Sequence, residues 1–384
     1  MPTLTRMMSR KMVLPVVMIF LVGVMTARAE RDINSMRAVN ALDLRIINKG
    51  WNETSRDYTR LPAWLEDSVR STLWERSQCS AGIGVRFATN STAVGVKYRL
   101  LWNTRMPHMA DTGLKGTDLY IHHDGEPEFD GDNGWRHVNT NRPSMDKEQM
   151  WNDKVYVENL DSTMKEFMIY LPLYDGVEEL YVMVDSGAII TPGNLHLIDN
   201  ERRIVAYGTS ILQGGCASRT GMAATNIISR ELNAEVVNIG ISGEAKMDFA
   251  MARALAQIKD VDLYLLDPVP NCTQMQCDTL TYDFVKILRT LRPEVPIVMV
   301  EGPIYPYARY DSFFNSYLPA KNREFRKNYE RLKAENPDNL YYVDSVELDG
   351  VEDDGTVDGI HLTDLGFKYY AAKLTPILRE ILGY

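Results

Sequence analysis

The chain has 384 residues, of which 45% are hydrophobic and 24% charged. This balance is typical of a globular protein that is long enough for two domains. The formal net charge is -10, and an acidic chain without a basic stripe is a poor candidate for binding nucleic acid or anionic membrane.

The first residues are typical of a secretory signal peptide. A basic segment that ends at Lys11 precedes an apolar run over 12–26, and the tripeptide ARA at 27–29 fits a cleavage site. We therefore predict a leader over 1–29, cleavage after Ala29, and a secreted or periplasmic protein. A membrane anchor is the less favoured alternative, because the run is short for a bilayer core of about 30 Å.

Short β-rich runs alternate with turns from residue 30 to 197. Many of them alternate apolar and polar residues, as half-buried antiparallel strands do, and they read GIGVRFAT, AVGVKYRLLW, TDLYIHH, KEFMIYLPLY and EELYVMV. This pattern predicts an N-terminal β-sandwich domain of jelly-roll type over 30–197, with a linker near 192–200.

The pattern changes over 202–384. Five mostly apolar runs (RIVAYG, EVVNIGI, DLYLLDP, PIVMVEG and LYYVDSV) alternate with helical stretches at about 222–233, 246–258, 279–291, 318–335 and 364–381. Alternation of this kind predicts a parallel sheet with helices on both faces. In such a sheet the functional groups collect in the loops after the carboxyl ends of the strands.

The turn after the first of these strands, in VAYGTSILQGGCASRTG, can hold either a phosphate or a nucleophile. It lacks the Lys-Ser/Thr pair of a P-loop and the G-x-G-x-x-G of a dinucleotide site, which excludes the first option. Ser210 then needs a base. Among the six histidines only His361 lies at a strand-end loop of this half, and Asp358 on the same loop can orient its ring.

Two further loops carry candidate donors for an oxyanion. Gly243 offers a backbone N–H group, Asn271 a side-chain amide, and Ser210 its own N–H group. Each of these residues alone is more often a turn or cap residue. Their conjunction at the strand ends of one sheet is what indicates an acyl-transfer site.

The four blocks YGTSILQGGCASRTG, NIGISG, LLDPVPN and DGIHLTDLG resemble the SGNH (GDSL-type) hydrolase superfamily, in a secreted bacterial subgroup. The front half resembles the β-rich GxDLY domain of that subgroup in YTRLPAWLEDSVRSTLWERSQCSAG, MPHMADTGLKGTDLY and YLPLYDGVEELYV. In these blocks Thr209 stands where many relatives have Asp. Glu244-Ala245 departs from the family pattern, so we expect an altered turn beside Gly243.

The resemblance implies a flavodoxin-like α/β/α sandwich and ester hydrolysis through an acyl-enzyme, without metal or organic cofactor. It implies Ser210 as nucleophile, His361 as base and then acid, and Asp358 as the group that orients His361. Ser210, Gly243 and Asn271 would form the oxyanion hole.

Three hypotheses about the function stay open. The leading one is removal of acetyl or another short acyl group from a glycan. The second is a lipase, lysophospholipase or thioesterase with a groove lined by aromatic residues of the loop after the fourth strand (Tyr305, Tyr307, Phe313 and Phe314). The third is a non-catalytic glycan-binding surface protein, against which the intact site argues.

Some side chains have two interpretations each. Three tryptophans are candidates for stacking on sugar rings, although core packing is favoured for each (Trp102, Trp135 and Trp151). Asp118 in GTDLY either faces the site or makes a structural hydrogen bond. Four cysteines match no zinc motif, and a Cys272–Cys277 disulfide is an open option (Cys79, Cys216, Cys272 and Cys277).

Overall fold

The computed structural model describes residues 31–123, 125, 133–193 and 202–384. The predicted signal peptide and its cleavage site lie outside the described residues, as do His196 and most of the predicted linker. Residues 32–384 form a single compact unit. The division of the chain near residue 200 into two domains therefore stays a prediction.

The N-terminal region contains ten strands and two short α-helices in its described residues. The helices are α1 (Ser71–Ser77) and α2 (Asp111–Leu114). The strands are β1 (Arg37–Asn40), β2 (Arg45–Ile47), β3 (Gly84–Thr89), β4 (Ala93–Leu100), β5 (Asp118–His122), β6 (Trp135–Thr140), β7 (Trp151–Glu158), β8 (Lys165–Tyr170), β9 (Val177–Val184) and β10 (Ile190–Pro192).

These strands form two antiparallel sheets. One has the order β1-β9-β4-β7, and the other β10-β3-β8-β5-β6 with β2 also paired to β3. Inward-facing side chains of both sheets share one buried core, among them Phe87, Val96, Phe167 and Val182. This is a sandwich, in which each sheet covers the apolar face of the other.

The C-terminal region alternates strands and helices as predicted. Its strands are β11 (Arg203–Gly208), β12 (Glu235–Gly240), β13 (Leu263–Asp267), β14 (Ile297–Val300) and β15 (Leu340–Val343). Its helices are α3 (Ser210–Gln213), α4 (Ala224–Leu232), α5 (Phe249–Leu255), α6 (Gln274–Thr279), α7 (Thr281–Leu291), α8 (Ser312–Glu335) and α9 (Asp364–Leu382). Short 3₁₀ helices lie at Ile33–Ser35, Ala41–Asp43, Ala63–Ser68, Thr220–Met222, Val269–Asn271 and Pro306–Arg309.

The five C-terminal strands form one parallel sheet in the order β12-β11-β13-β14-β15. Second, first, third, fourth, fifth is the flavodoxin-like order, in which the chain changes direction between the first and third strands. Alternate residues of β11 enter different cores: Ile204 packs with α4 and α9, and Val205 with α5, α7 and α8. Helices thus cover both faces, and the predicted α/β/α sandwich is confirmed.

The two regions are joined by buried polar contacts. The Asp118 carboxylate, fully buried on β5, accepts hydrogen bonds from Arg219 Nη1 at 2.7 Å and from the Gly221 N–H group at 2.8 Å. Asn48 accepts from the Val236 N–H group at 3.0 Å, at the start of β12. Asp118 therefore makes a structural link, and Arg219 in the glycine-rich turn is its partner. No helix among the described residues is both long and apolar enough to cross a bilayer.

Candidate active site

The site lies at the carboxyl edge of the parallel sheet. The strand register places Gly208, the last residue of β11, beside Gly240 of β12 and Asp267 of β13. The loops that carry Ser210, Gly243 and Asn271 therefore leave neighbouring strands at the same edge. This edge flanks the point where the chain changes direction, which is where open α/β sheets bind their ligands.

Ser210 is the first residue of the short helix α3. Thr209 caps this helix, and its hydroxyl accepts a hydrogen bond from the Ile211 N–H group at 3.4 Å. Thr is a favoured N-cap residue, and Thr209 fulfils this role here. Gly214 ends the helix with φ of 103°, a left-handed conformation that favours glycine. The result is a tight turn that leaves Ser210 6% exposed at the sheet edge.

Ser210, His361 and Asp358 form a hydrogen-bonded chain. The Ser210 hydroxyl lies 3.0 Å from Nε2 of His361, and Nδ1 of His361 lies 2.8 Å from Oδ2 of Asp358. Because an ionised carboxylate only accepts, Nδ1 carries the proton and Nε2 is left to accept the serine proton. This arrangement can activate a hydroxyl group for attack.

The Asp358 carboxylate is held in its ionised form. Partial burial alone would raise its pKa, but hydrogen bonds from the backbone and ring of His361 and from the Ile360 N–H group outweigh burial and lower the pKa to about 2. The carboxylate therefore keeps its charge, and with it the orientation of His361, throughout the neutral and mildly acidic range.

The loop of His361 must come from the far side of the sheet, because β15 is an edge strand separated from β11 by two others. One hydrogen bond holds the loop in place, and one glycine gives it room. The Ser218 N–H group donates to Asp364 at the start of α9 at 2.9 Å. A Cβ on Gly215 would lie 3.2 Å from the His361 ring, so this glycine lets the two loops approach.

The loops after β12 and β13 supply the candidate oxyanion donors. Gly243 has φ of 72°, a conformation that an L side chain rarely adopts. Asn271 accepts a hydrogen bond from the Ala245 N–H group at 3.3 Å through Oδ1. This contact fixes the orientation of the amide, and among the described residues Nδ2 donates to no partner. Nδ2 is thus available for a ligand.

Arginines of the N-terminal region hold the loop after β12. Arg76 on α1 donates to the carbonyl oxygen of Ser242, the residue before Gly243. Arg70 donates to both oxygens of Asp248 at 3.1 and 2.8 Å, and to the backbone and side chain of Glu244. Glu244, which departs from the family pattern, is 6% exposed and is the partner of these arginines.

A cavity of about 350 Å³ adjoins this loop and is walled by both regions. Its lining includes Trp102, Arg76, Tyr174, Gln213 and Ser242. The Tyr174 hydroxyl donates to the Ser210 carbonyl oxygen at 3.3 Å, and Gln213 accepts from the Ser242 N–H group at 2.9 Å. The cavity therefore lies next to the serine loop and is open to a substrate group.

The three candidate tryptophans have different environments. Trp102 is 42% exposed and lines the cavity, whereas Trp135 is 7% exposed and packs in a small core. Trp151 is half-buried on β7, stacked on Tyr181 and covered by the Lys97 ammonium group. Core packing thus describes Trp135, and Trp102 alone of the three lines the site.

The aromatic residues that follow β14 pack largely on one another. Tyr305 is buried and stacks on Tyr307, which contacts Phe314 edge to face. Phe313 and Phe314 belong to the first turn of α8, since that helix begins at Ser312. The prediction that places them on the loop before the helix is therefore wrong.

All four cysteines are buried free thiols. The Cys272 thiol donates to the Ala245 carbonyl oxygen at 3.5 Å, and the neighbouring Cys277 thiol together with burial raises the pKa of Cys272. The optional disulfide is therefore not formed in this structure.

Sequence reasoning missed the site residues of the N-terminal region. Arg70, Arg76 and Tyr174 stand far from the four motif blocks along the chain, and no spacing pattern links them to Ser210. The available signals are resemblances to the GxDLY domain: the segment WLEDSVRSTLWERS contains Arg70 and Arg76, and YLPLYDGVEELYV contains Tyr174.

Comparisons with known proteins give one consistent result. Residues 201–379 match the model of the GDSL-like lipase/acylhydrolase family. Residues 36–190 match the GxDLY model, described as the N-terminus of esterases of the SGNH hydrolase type. No curated protein matches the chain.

Solved structures extend the likeness over most of the chain. A GDSL-like lipase from Bacteroides ovatus is 32% identical, with a TM-score of 0.82 over 90% of this chain and 98% of its own. The salicylyl-acyltransferase SsfX3 of a tetracycline biosynthetic pathway is 16% identical, with a TM-score of 0.71 over 91% and 98%. A family two carbohydrate esterase from Clostridium thermocellum, solved with cellohexaose, is 14% identical, with a TM-score of 0.53 over 79% and 93%.

The fold and these comparisons define a carboxylic ester hydrolase. The chain belongs to the GDSL-like lipase/acylhydrolase family and carries the GxDLY N-terminal region.

Proposed function

We propose that this protein is a secreted serine esterase that removes acetyl or other short acyl groups from a carbohydrate. The observation that carries the proposal is the continuous hydrogen-bonded chain from Ser210 through His361 to Asp358, with distances of 3.0 and 2.8 Å. A serine hydroxyl is a weak nucleophile without such a base and orienting carboxylate.

The residues act in a defined order. As Ser210 Oγ attacks the ester carbonyl carbon, its proton passes to Nε2 of His361, and Asp358 stabilises the resulting imidazolium. The tetrahedral intermediate collapses, His361 returns the proton to the leaving alcohol oxygen, and an acyl-enzyme remains. Water then attacks the acyl-enzyme and gives its proton to His361, which passes it to Ser210 Oγ as the bond to the acyl group breaks and the carboxylic acid leaves.

The developing oxyanion needs donors that are in place before the reaction. The N–H groups of Ser210 and Gly243 and the Asn271 amide are assigned this role. The Asn271 orientation supports it, because the Ala245 contact turns the amide oxygen away and leaves Nδ2 as a donor. One such donor is worth about 10²–10³ in kcat in serine hydrolases.

The cavity beside the serine loop supports a compact, polar substrate. Its volume of about 350 Å³ is at the lower end of ligand pockets, and its walls combine the exposed Trp102 with Arg76, Gln213 and Ser242. An aromatic face beside hydrogen-bonding groups suits a sugar ring. The family two esterase solved with cellohexaose has the same fold and adds to this reading.

A chain-length series tests the substrate. We expect the rate on p-nitrophenyl esters to fall steeply beyond acetyl, and acetate to be released from acetylated polysaccharides. Undiminished or rising rates on long acyl chains would contradict the proposal and favour a lipase or thioesterase.

A serine variant tests the mechanism. Ser210→Ala should lose about 10⁶-fold in kcat and all labelling by a fluorophosphonate. The matched control is Ser316→Ala, an exposed serine of α8 that should keep both. A folded wild-type protein that takes no label would instead support a non-catalytic glycan-binding role.

Export rests on the leader sequence. Expression in a bacterial host followed by N-terminal sequencing of the extracytoplasmic protein should give Glu30 as the first residue. A cytoplasmic protein with an intact leader would contradict this part of the proposal.

A further inference from the structure

Three potential metal ligands meet beside the proposed catalytic serine. The side chains of His108, Cys216 and His361 each offer one ligand atom, and these three atoms lie within 4.8 Å of one another. Among the described residues they form the one such group of three. The rings of His108 and His361 are 5.6 Å apart between centroids.

The donor set has a definite chemical preference. Two imidazoles and one thiolate suit a borderline-soft cation, and Zn²⁺ binds them at about 2.0–2.3 Å in tetrahedral geometry. Donors of such a site are roughly 3.3–3.8 Å apart, so a separation at the 4.8 Å limit would have to shorten by about 1.0–1.5 Å. His108 can supply this movement, because it is exposed and precedes α2 on a loop.

Cys216 is held in position by its own turn. It has φ of 74°, a left-handed conformation that is unfavourable for a residue with a Cβ, and it is 7% exposed. The turn is fixed by hydrogen bonds from the Gly215 N–H group to Ser210 at 2.8 Å and from the Ala217 N–H group to Gly214 at 3.1 Å. A Cβ on Gly215 would lie only 3.2 Å from the His361 ring, so this backbone runs close to the imidazole and keeps the thiol beside it.

We propose that His108, Cys216 and His361 form a reversible inhibitory site for Zn²⁺. On binding, the Cys216 thiol loses its proton to solvent, a zinc–thiolate bond forms, and each imidazole gives one ring nitrogen to the metal. No oxidation state changes, and the fourth position is left for water. Zinc-bound His361 no longer orients and deprotonates Ser210, so hydrolysis stops. The inference rests on the proposed function in taking His361 as the catalytic base.

Inhibition is measured on the full protein after treatment with EDTA and desalting. Micromolar ZnCl₂ should inhibit p-nitrophenyl acetate hydrolysis, excess EDTA should restore it, and Mg²⁺ or Ca²⁺ should have no effect, because both prefer oxygen ligands. His108→Ala and Cys216→Ala should each need about tenfold or more zinc for half-inhibition, relative to their own zinc-free rates. His137→Ala, a histidine outside the group, is the matched control and should respond like the wild type.

A second measurement does not depend on activity. Co²⁺ added to the protein should give a thiolate-to-metal charge-transfer band that disappears in Cys216→Ala and weakens in His108→Ala. This band is expected even if the protein hydrolyses no ester tested, which separates failure of the metal site from failure of the proposed function. Absence of the band, or equal zinc inhibition of wild type, His108→Ala and Cys216→Ala, would overturn the proposal.

Discussion

Arg76 donates a hydrogen bond to the carbonyl oxygen of Ser242, although the two residues are 166 positions apart in the chain. Ser242 precedes Gly243, so the helix α1 of the N-terminal region holds the loop of a proposed oxyanion donor. Arg60 makes a similar contact with the Gly240 carbonyl oxygen at the end of β12. The β-rich region therefore completes the active-site edge of the parallel sheet.

Removal of the Arg76 contact should lower activity more than stability. In Arg76→Ala the Ser242 carbonyl loses its partner and Gly243 is less well positioned. We expect kcat on p-nitrophenyl acetate to fall about 10- to 100-fold, part of what a whole oxyanion donor is worth. Glu75→Ala, an exposed neighbour on α1 that lines the same cavity, is the control. A kcat of Arg76→Ala equal to that of the wild type would show that the arginine does not position the loop.

A methyl group on Gly243 should disturb the same loop from the other side. Its Cβ would lie 2.6 Å from Nη1 of Arg76, on a backbone with φ of 72°. We expect Gly243→Ala to lose about 1 kcal/mol of stability from backbone strain, and about 10²-fold in kcat.

Gly383→Ala separates the two effects. Gly383 has a similar φ of 77°, but nothing lies within 4 Å of its Cβ position. This variant should lose a comparable free energy of unfolding in urea titrations and keep full activity. Arg76→Ala removes the side chain that the methyl group of Gly243→Ala would meet. The loss of kcat caused by Arg76→Ala should therefore be smaller in the Gly243→Ala background than in the wild type. Additive losses would contradict the collision.

Neutralising Asp358 should leave the fold intact and impair catalysis. In Asp358→Asn the side chain can no longer hold the Nδ1–H tautomer of His361, and kcat should fall about 10⁴-fold, as in other serine hydrolases. Asp354→Asn, an exposed carboxylate of the same loop, should match the wild type. Circular dichroism checks the fold of both variants. A fall of less than tenfold would remove Asp358 from the catalytic group.

Asp267 should make the protein less stable as pH rises. It is fully buried at the end of β13, and burial raises its pKa to about 8 against 3.8 for an exposed carboxyl, although the Tyr370 hydroxyl donates to it at 2.9 Å. Between these pH values the folded chain keeps a proton that the unfolded chain releases, so the free energy of unfolding falls as pH increases.

The Asp267→Asn variant tests this dependence, because an amide is neutral at every pH. Urea titrations at several pH values should show a wild-type loss of up to about 4 kcal/mol between pH 5 and pH 8 that is much smaller in the variant. Asp354→Asn serves again as the control and should follow the wild-type curve. Parallel curves for Asp267→Asn and wild type would mean that Asp267 is ionised in the fold.

The sequence predicts those strands whose residues are mostly apolar or alternate between apolar and polar. Four of the five strands of the parallel sheet lie within two residues of their predicted ends, and β15 ends three residues before its predicted end; a sheet covered on both faces needs such continuous apolar runs. The sequence pattern does not predict β6 and β7, because their side chains are mostly half-exposed. Nor does it predict β1, β2 and β10, which have only three or four residues. Their pairing with neighbours defines them, and pairing is a long-range property.

By itself the sequence determined the fold class and the candidate residues of the site. Parallel strands end at one edge, so a strand-end position is enough to propose Ser210, Gly243 and Asn271 together. Only the tertiary structure decided how the loop after the edge strand β15 returns to bring His361 within 3.0 Å of Ser210. It also decided that Arg70, Arg76 and Tyr174 join the site, and that His108 and Cys216 meet beside His361. These contacts depend on how the two regions pack, and no local sequence pattern records contacts between segments that are distant along the chain.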